Sequence, residues 1–206
     1  SDQKRIEARV RWGLPTDASV VLTLSRLTPA KGVHLLLHSW VRVLERVPNA
    51  YLWIVGEGHA SYTEPLSRMV TNLGLGDHVR FHGGVDRGQV SDCHAAADLY
   101  VLPTLADEGH PLSLLEAMSS GLACVASDCP TVSELHGGAV DLVPDPNRQD
   151  AFVEPVTRLL LDPDARSTLG RKARAQILER FTLDTYLQDL SSFFERQLPS
   201  NRGGAR

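Results

Sequence analysis

Five short apolar runs punctuate this chain, and a helical pattern follows each of the first four. The runs are Val20–Leu24, Tyr51–Val55, Val79–His82, Leu99–Leu102 and Ala123–Ser127. They are continuous rather than alternating, so strands formed from them must be covered on both faces. Parallel sheets flanked by helices satisfy that demand. The runs therefore predict an α/β fold: a doubly wound parallel sheet with a helical C-terminal tail. Such sheets bind ligands beyond the carboxyl ends of their strands. Residues just past the apolar runs, among them Arg26, Gly56, Gly83 and Glu108, should share one rim.

The helical pattern over Val33–Val47 has apolar residues at 33, 36, 37, 40, 44 and 47 and stops at Pro48-Asn49. Further helices are expected over Tyr62–Leu73, Gln89–Ala97 and from Pro111 to Gly121, with a weaker sixth strand over Val140–Val143. The stretch Gln149–Gln197 reads as two or three helices broken near Asp162-Pro163-Asp164 and Phe181. Residues 1–18 read as a lead-in, residues 19–198 as the domain, and residues 199–206 as a disordered tail.

Composition excludes several classes. The chain has 206 residues, 42% hydrophobic and 22% charged, enough for a good core. A formal net charge of -4 gives no polyanion-binding surface, so no nucleic-acid partner is expected. Cys93, Cys124 and Cys129 have no metal-binding spacing and read as reduced core residues. No run reaches the ~18 apolar residues of a membrane span, and no signal peptide is evident. A cytoplasmic location is expected, with peripheral membrane association left open for a full-length protein. The chain opens Ser-Asp-Gln without methionine and reads as part of something longer.

The densest chemistry lies in Glu108-Gly109-His110-Pro111-Leu112-Ser113-Leu114-Leu115-Glu116-Ala117-Met118. Pro111 suits a first helical turn, because its missing N–H has no partner there in any case. Glu116 then falls among core-type residues, where a carboxylate is costly unless a hydrogen bond compensates it. A ligand hydroxyl would do so, beside a helix N-terminus suited to phosphate. Arg26 and Lys31 flank the turn Leu27-Thr28-Pro29-Ala30 after the first strand, and Gly32 permits close backbone approach. Two such cations suit a diphosphate, although two solvated surface cations would look the same in isolation.

Four blocks together resemble the C-terminal half of retaining, nucleotide-sugar-dependent glycosyltransferases of the GT-B fold, particularly family 4. They are Ser25-Arg26-Leu27 with Lys31-Gly32, Val55-Gly56-Glu57-Gly58, Val79-Arg80-Phe81-His82-Gly83, and Glu108–Met118 with Gly121 and Val125-Ala126-Ser127. The resemblance implies that Arg26 and Lys31 hold the donor diphosphate and that backbone N–H groups near Leu112 and Ser113 cap it. It implies that Glu116 accepts from the ribose hydroxyls, that Glu108 touches the donor sugar, and that the turn through Gly83, Val85 and Arg87 borders the base. Glu108, Arg26 and Lys31 are the expected catalytic group. Glu116, Gly83, Val85, Arg87, His110, Pro111, Leu112 and Ser113 are the expected donor-binding residues. His110 replaces a bulky apolar residue of the family, so it either reaches the ligand or packs.

The expected activity is sugar transfer from a nucleotide-sugar donor to a hydroxyl of a glycan, lipid or small-molecule acceptor. No cofactor or metal is expected. The leaving phosphate is thought to deprotonate the acceptor in this family, which fits the absence of an obvious nucleophile. The acceptor-binding N-terminal domain is expected to be missing, leaving the isolated chain inactive. Two alternatives stay open: a non-catalytic nucleotide-sugar-binding module, and a sugar-nucleotide epimerase of the same architecture. Asp162-Pro163-Asp164 spells the DxD of metal-dependent transferases, but a helix stop and N-cap explain it better. Arg166, Arg171, Lys172 and Arg174 read as a solvated basic face, and Glu134 as structural.

Overall fold

The computed structural model describes residues 2–107, 109, 111–136 and 138–197. Its strands are β1 (Ser19–Leu24), β2 (Ala50–Val55), β3 (Val79–Gly83), β4 (Leu99–Leu102), β5 (Ala123–Ser127) and β6 (Asp141–Val143). They form one sheet in the order β3-β2-β1-β4-β5-β6, and every neighbouring pair is parallel. The expected doubly wound α/β fold is the fold observed. The helices are α1 (Asp2–Trp12), α2 (Val33–Arg46), α3 (Ala60–Asn72), α4 (Val90–Ala96), α5 (Leu112–Ser119), α6 (Pro130–His136), α7 (Val153–Leu161), α8 (Pro163–Arg180) and α9 (Leu183–Gln197).

The two faces of the sheet are covered by different helices. Val21, Leu52, Ile54, Val101 and Val125 pack with residues of α2, α3 and α7. Val20, Leu22, Trp53, Tyr100 and Ala126 pack with residues of α1, α4, α5 and α8. The inner strands β1, β2, β4 and β5 therefore bury both sets of side chains, which is why their sequences are largely apolar, whereas the edge strands β3 and β6 are mostly half-buried and carry Arg80, His82 and Asp141.

Two helices carry no clear sequence signal. Helix α6 begins at Pro130, where a proline needs no N–H partner, and its Glu134 is exposed. Helix α1 lies within residues 1–18 and is fixed by a buried charge. Arg9, 3% exposed, donates to the carbonyls of Ala96, Thr16 and Ala18 and to Asp98 Oδ2 at 2.5 Å. Asp98 also accepts from the Val20 N–H at 2.8 Å, so one ion pair joins α1 to the starts of β1 and β4.

The basic face of α8 is largely solvated, as expected, with Arg171, Lys172 and Arg174 exposed, and two of its cations also make bonds to neighbouring helices. Arg166 donates to the carbonyls of Leu159 and Leu160 at 2.8 and 3.1 Å, and Arg174 to that of Ser119 at 2.5 Å. Both cations thus serve the C-terminal turns of α7 and α5, where carbonyls lack helical partners. Asp162 caps α8 by accepting from the Ala165 N–H at 2.9 Å with Pro163 at the first turn, so the DxD spelling is a helix start, as expected. Residues 199–206, expected to be a disordered tail, lie outside the described residues.

Removing one partner of a buried ion pair leaves the other charge uncompensated, at a cost of ~3–5 kcal/mol. Asp98→Ala should lose stability of that order, measured by urea unfolding followed by circular dichroism. A loss below about 1 kcal/mol would show that the carbonyls around Arg9 suffice without the carboxylate.

Candidate ligand-binding site

The carboxyl ends of β1, β2 and β4 open onto a cleft of about 780 Å³. Its walls include Leu24, Val55 and Leu102, the last residues of those strands. Helices that follow β1 and β4 cover opposite faces of the sheet, so the cleft sits at the topological switch point of the fold. Its size lies within the range of small-molecule sites.

One wall is the β1–α2 loop, clamped by backbone on both sides. The Ser25 N–H donates to the Val55 carbonyl at 3.1 Å, and the Leu27 N–H to that of Glu57 at 2.7 Å. On the other side, the Leu105 N–H donates to the Ala30 carbonyl at 2.7 Å. Glycine makes this proximity possible. A Cβ on Gly56 would lie 1.8 Å from the Ser25 carbonyl oxygen. One on Gly32, whose φ is 65°, would lie 1.8 Å from that of Pro103. Arg26 projects from this loop as an exposed cation with no ion pair among the described residues, while Lys31 is half-buried at its end.

Helix α5 supplies the facing wall. Pro111 occupies the N-cap position rather than the first turn, and no side chain caps the helix. Its first N–H groups therefore stand where Pro111, Leu112 and Ser113 line the cleft. The helix ends at Gly121, φ 79°, through Gly121 N–H to Met118 and Leu122 N–H to Ala117 bonds at 2.9 and 3.2 Å. This is the usual left-handed glycine closure. Glu116 lies one turn further along α5, half-buried at the cleft wall, and its carboxylate has no hydrogen-bond or ion-pair partner among the described residues. Beneath the helix, the fully buried Tyr100 bonds the Leu24 carbonyl at 3.2 Å and Ser113 Oγ at 2.8 Å. Burial pushes the Tyr100 hydroxyl pKa up, with Glu116 among the smaller causes, so the phenol keeps its proton.

The structure brings Arg26, Lys31, Val85, Arg87, Pro111, Leu112, Ser113 and Glu116 to this one cleft. Gly83 stands behind it: its carbonyl accepts from the Gly56 N–H at 2.8 Å, and the neighbouring Gly84 reaches the surface instead. Glu108 and His110 lie outside the described residues. Glu57, Val90 and Tyr100 received no role from sequence. Glu57 was visible in the Val-Gly-Glu-Gly block, and a tyrosine in a buried strand signals a hydroxyl in need of a partner. A second cleft, of about 600 Å³, lies between β6, α7 and α8, but there Arg158 is paired with Asp141 at 2.5 Å and Asp162 is the α8 cap.

These features define a doubly wound domain with a cleft at the strand-order reversal, between a cationic loop and a helix N-terminus. The chain belongs to the glycosyl transferases group 1 family, whose model matches residues 4–176. It is 34% identical over 184 residues to a GDP-mannose-dependent alpha-(1-6)-phosphatidylinositol monomannoside mannosyltransferase of Mycolicibacterium smegmatis, covering 86% of this chain and 47% of the relative. It is 31% identical over 219 residues to a D-inositol 3-phosphate glycosyltransferase of Streptomyces bingchenggensis, covering 97% of this chain and 46% of that one. Among solved structures, Anabaena Alr3699/HepE in complex with UDP superposes with a TM-score of 0.86 at 26% identity, over 95% of this chain and 53% of that protein. The fold is thus the Rossmann-like, GT-B type expected. The chain spans about half the length of the curated relatives it matches. Among the described residues, no helix is long and apolar enough to cross a membrane.

The clamp on the β1–α2 loop gives a direct test. Alanine at a positive-φ glycine destabilises by more than about 1 kcal/mol, before any clash is counted. Gly32→Ala should exceed that loss in chemical denaturation. Gly88→Ala, where an added Cβ meets nothing within 4 Å, should stay within about 0.5 kcal/mol. Equal stability of the two variants would show that the loop is not held as described.

Proposed function

We propose that this chain is the donor-binding domain of a glycosyltransferase that moves a sugar from a nucleotide-sugar donor to an acceptor hydroxyl with retention. The observation that carries this reading is the convergence of Arg26, Lys31, the uncapped α5 N-terminus and Glu116 on one cleft. Each group matches a part of the donor. The two cations and the α5 N–H groups suit the two phosphates, since helix N-termini and guanidinium groups both favour anions. Glu116, acceptor-only when ionised, suits the ribose hydroxyls one helical turn away. The segment Gly84–Arg87 suits the base. Glu108 is kept for the donor sugar and His110 for the donor as well.

Charge develops on the diphosphate as the sugar departs. Fixed donors aimed at that charge stabilise the transition state more than the ground state, which is where rate acceleration originates. No nucleophile on this chain is assigned. The curated relatives include an enzyme named as GDP-mannose-dependent, whereas the Anabaena structure holds UDP. Both nucleotides therefore serve as probes.

Glu116→Gln keeps the shape but removes the charge. Charge-assisted hydrogen bonds contribute ~1.5–3 kcal/mol, so the tighter-binding of UDP and GDP should bind about tenfold more weakly or worse. Calorimetry on the folded variant measures this, and an unchanged dissociation constant would remove Glu116 from the site.

Transfer also needs the acceptor held in line and water excluded, which a cleft between two domains provides. The acceptor domain of the proposed enzyme would lie in the length of the relatives that this chain does not span. The 206 residues should therefore bind nucleoside diphosphate, with or without a chelator, yet consume no nucleotide sugar. Sustained donor consumption by this chain would overturn the half-enzyme reading. Loss of binding on chelation would show that a metal takes part.

A further inference from the structure

We infer that the Ser113 hydroxyl is a direct donor to the donor diphosphate, and that Tyr100 is the positioning residue that turns this hydroxyl outward. This rests on the donor-binding reading above. Three oxygens stand in series under the α5 N-terminus: the Leu24 carbonyl, the Tyr100 hydroxyl 3.2 Å from it, and Ser113 Oγ 2.8 Å further on. Leu24 lies at the end of β1 and Ser113 in the first turn of α5, and both line the cleft. Tyr100 is fully buried between them, with the His94 ring against its edge at 5.9 Å between centroids.

A phenol has one hydrogen and can donate to one of these oxygens at a time, whereas a carbonyl can only accept. Two arrangements follow. In the first, Ser113 donates to Tyr100 and Tyr100 donates to Leu24, so the serine hydrogen points into the protein. In the second, Tyr100 donates to Ser113, and the serine hydrogen is free to point into the cleft. Phosphate oxygens of a nucleoside diphosphate accept hydrogen bonds, so they select the second arrangement. The change is a rotation of two O–H bonds, and no proton changes owner. It gives up the longer of the two Tyr100 contacts and keeps the shorter one. A hydroxyl that receives a hydrogen bond is polarised and donates more strongly. Burial keeps Tyr100 protonated, so it remains a donor.

The experiment is calorimetry of UDP, GDP, uridine and guanosine on the full 206-residue chain and on Ser113→Ala, Ser113→Thr, Tyr100→Phe and the Ser113→Ala/Tyr100→Phe pair, with melting temperatures for each. For whichever diphosphate binds more tightly, Ser113→Ala should weaken binding about tenfold. Ser113→Thr should restore it. Tyr100→Phe should weaken it several-fold alone and add nothing to Ser113→Ala, because its effect passes through the serine. Nucleoside affinities should hold within about twofold, a separation that general destabilisation would not produce. Equal losses for nucleoside and diphosphate, or additive losses in the pair, would overturn the inference. If the wild type binds a diphosphate and Ser113→Ala binds it equally well, the donor-binding reading stands and this inference falls. If the wild type binds neither diphosphate, both fall.

Discussion

The site depends on one constraint: the backbones after β1, β2 and β4 must touch. Loops normally lie over the surface with room around them. Here the β1–α2 loop is pressed between two others, and its carbonyls at Ser25 and Ala30 and N–H groups at Ser25 and Leu27 meet neighbouring backbone. Contact at this distance leaves no room for a side chain, so Gly56 and Gly32 stand at the closest points. The result is a fixed backbone position for Arg26 and Lys31, which emerge from either end of this loop. Preorganised charge needs no rearrangement when a ligand's charge arrives, and that makes it effective.

A second set of contacts fixes the facing wall. Helix α5 is short, eight residues, and its N-terminus has no side-chain cap. Its orientation comes from elsewhere. Tyr100 holds its first turn from below. The glycine closure and the Arg174 guanidinium hold its last turn. Helix α8 packs so close that a Cβ on Gly170 would lie 2.2 Å from the Gly121 carbonyl oxygen. Arg174 on the basic face of α8 is thus part of the support for the helix that lines the cleft.

These two walls differ in what they offer. The loop presents long cationic side chains, whereas the helix presents backbone donors, a hydroxyl and one carboxylate. A nucleotide-sugar donor carries phosphates, ribose hydroxyls and a base in fixed order, and the proposed assignment uses that order along the cleft. The chain matches about half the length of its curated relatives, and in the proposed enzyme it would contribute one wall of the cleft in which transfer takes place.

The sequence by itself determined the sheet and most of its helices, because a strand buried on both faces must be apolar throughout and a helix on one face must be apolar with its own period. It also determined which residue types reach the rim, since Arg26, Lys31, Ser113 and Glu116 follow strand ends or begin a helix. Helices α1 and α6 were not legible: α1 is held by the pairing of Arg9 with Asp98, 89 positions away. The same holds for Arg166 and Arg174, whose acceptors are carbonyls of other helices. The family resemblance set Gly83 beside the base, whereas Gly83 is the last residue of β3 with its carbonyl bonded to the Gly56 N–H, and the neighbouring Gly84 lines the cleft. Only the tertiary structure decided which carbonyl each hydroxyl and guanidinium meets, because those partners are distant in sequence and a hydrogen bond forms only within about 3 Å. Local pattern encodes burial and periodicity, whereas the ion pair under α1 and the Tyr100–Ser113 contact exist only once the sheet has brought their strands together.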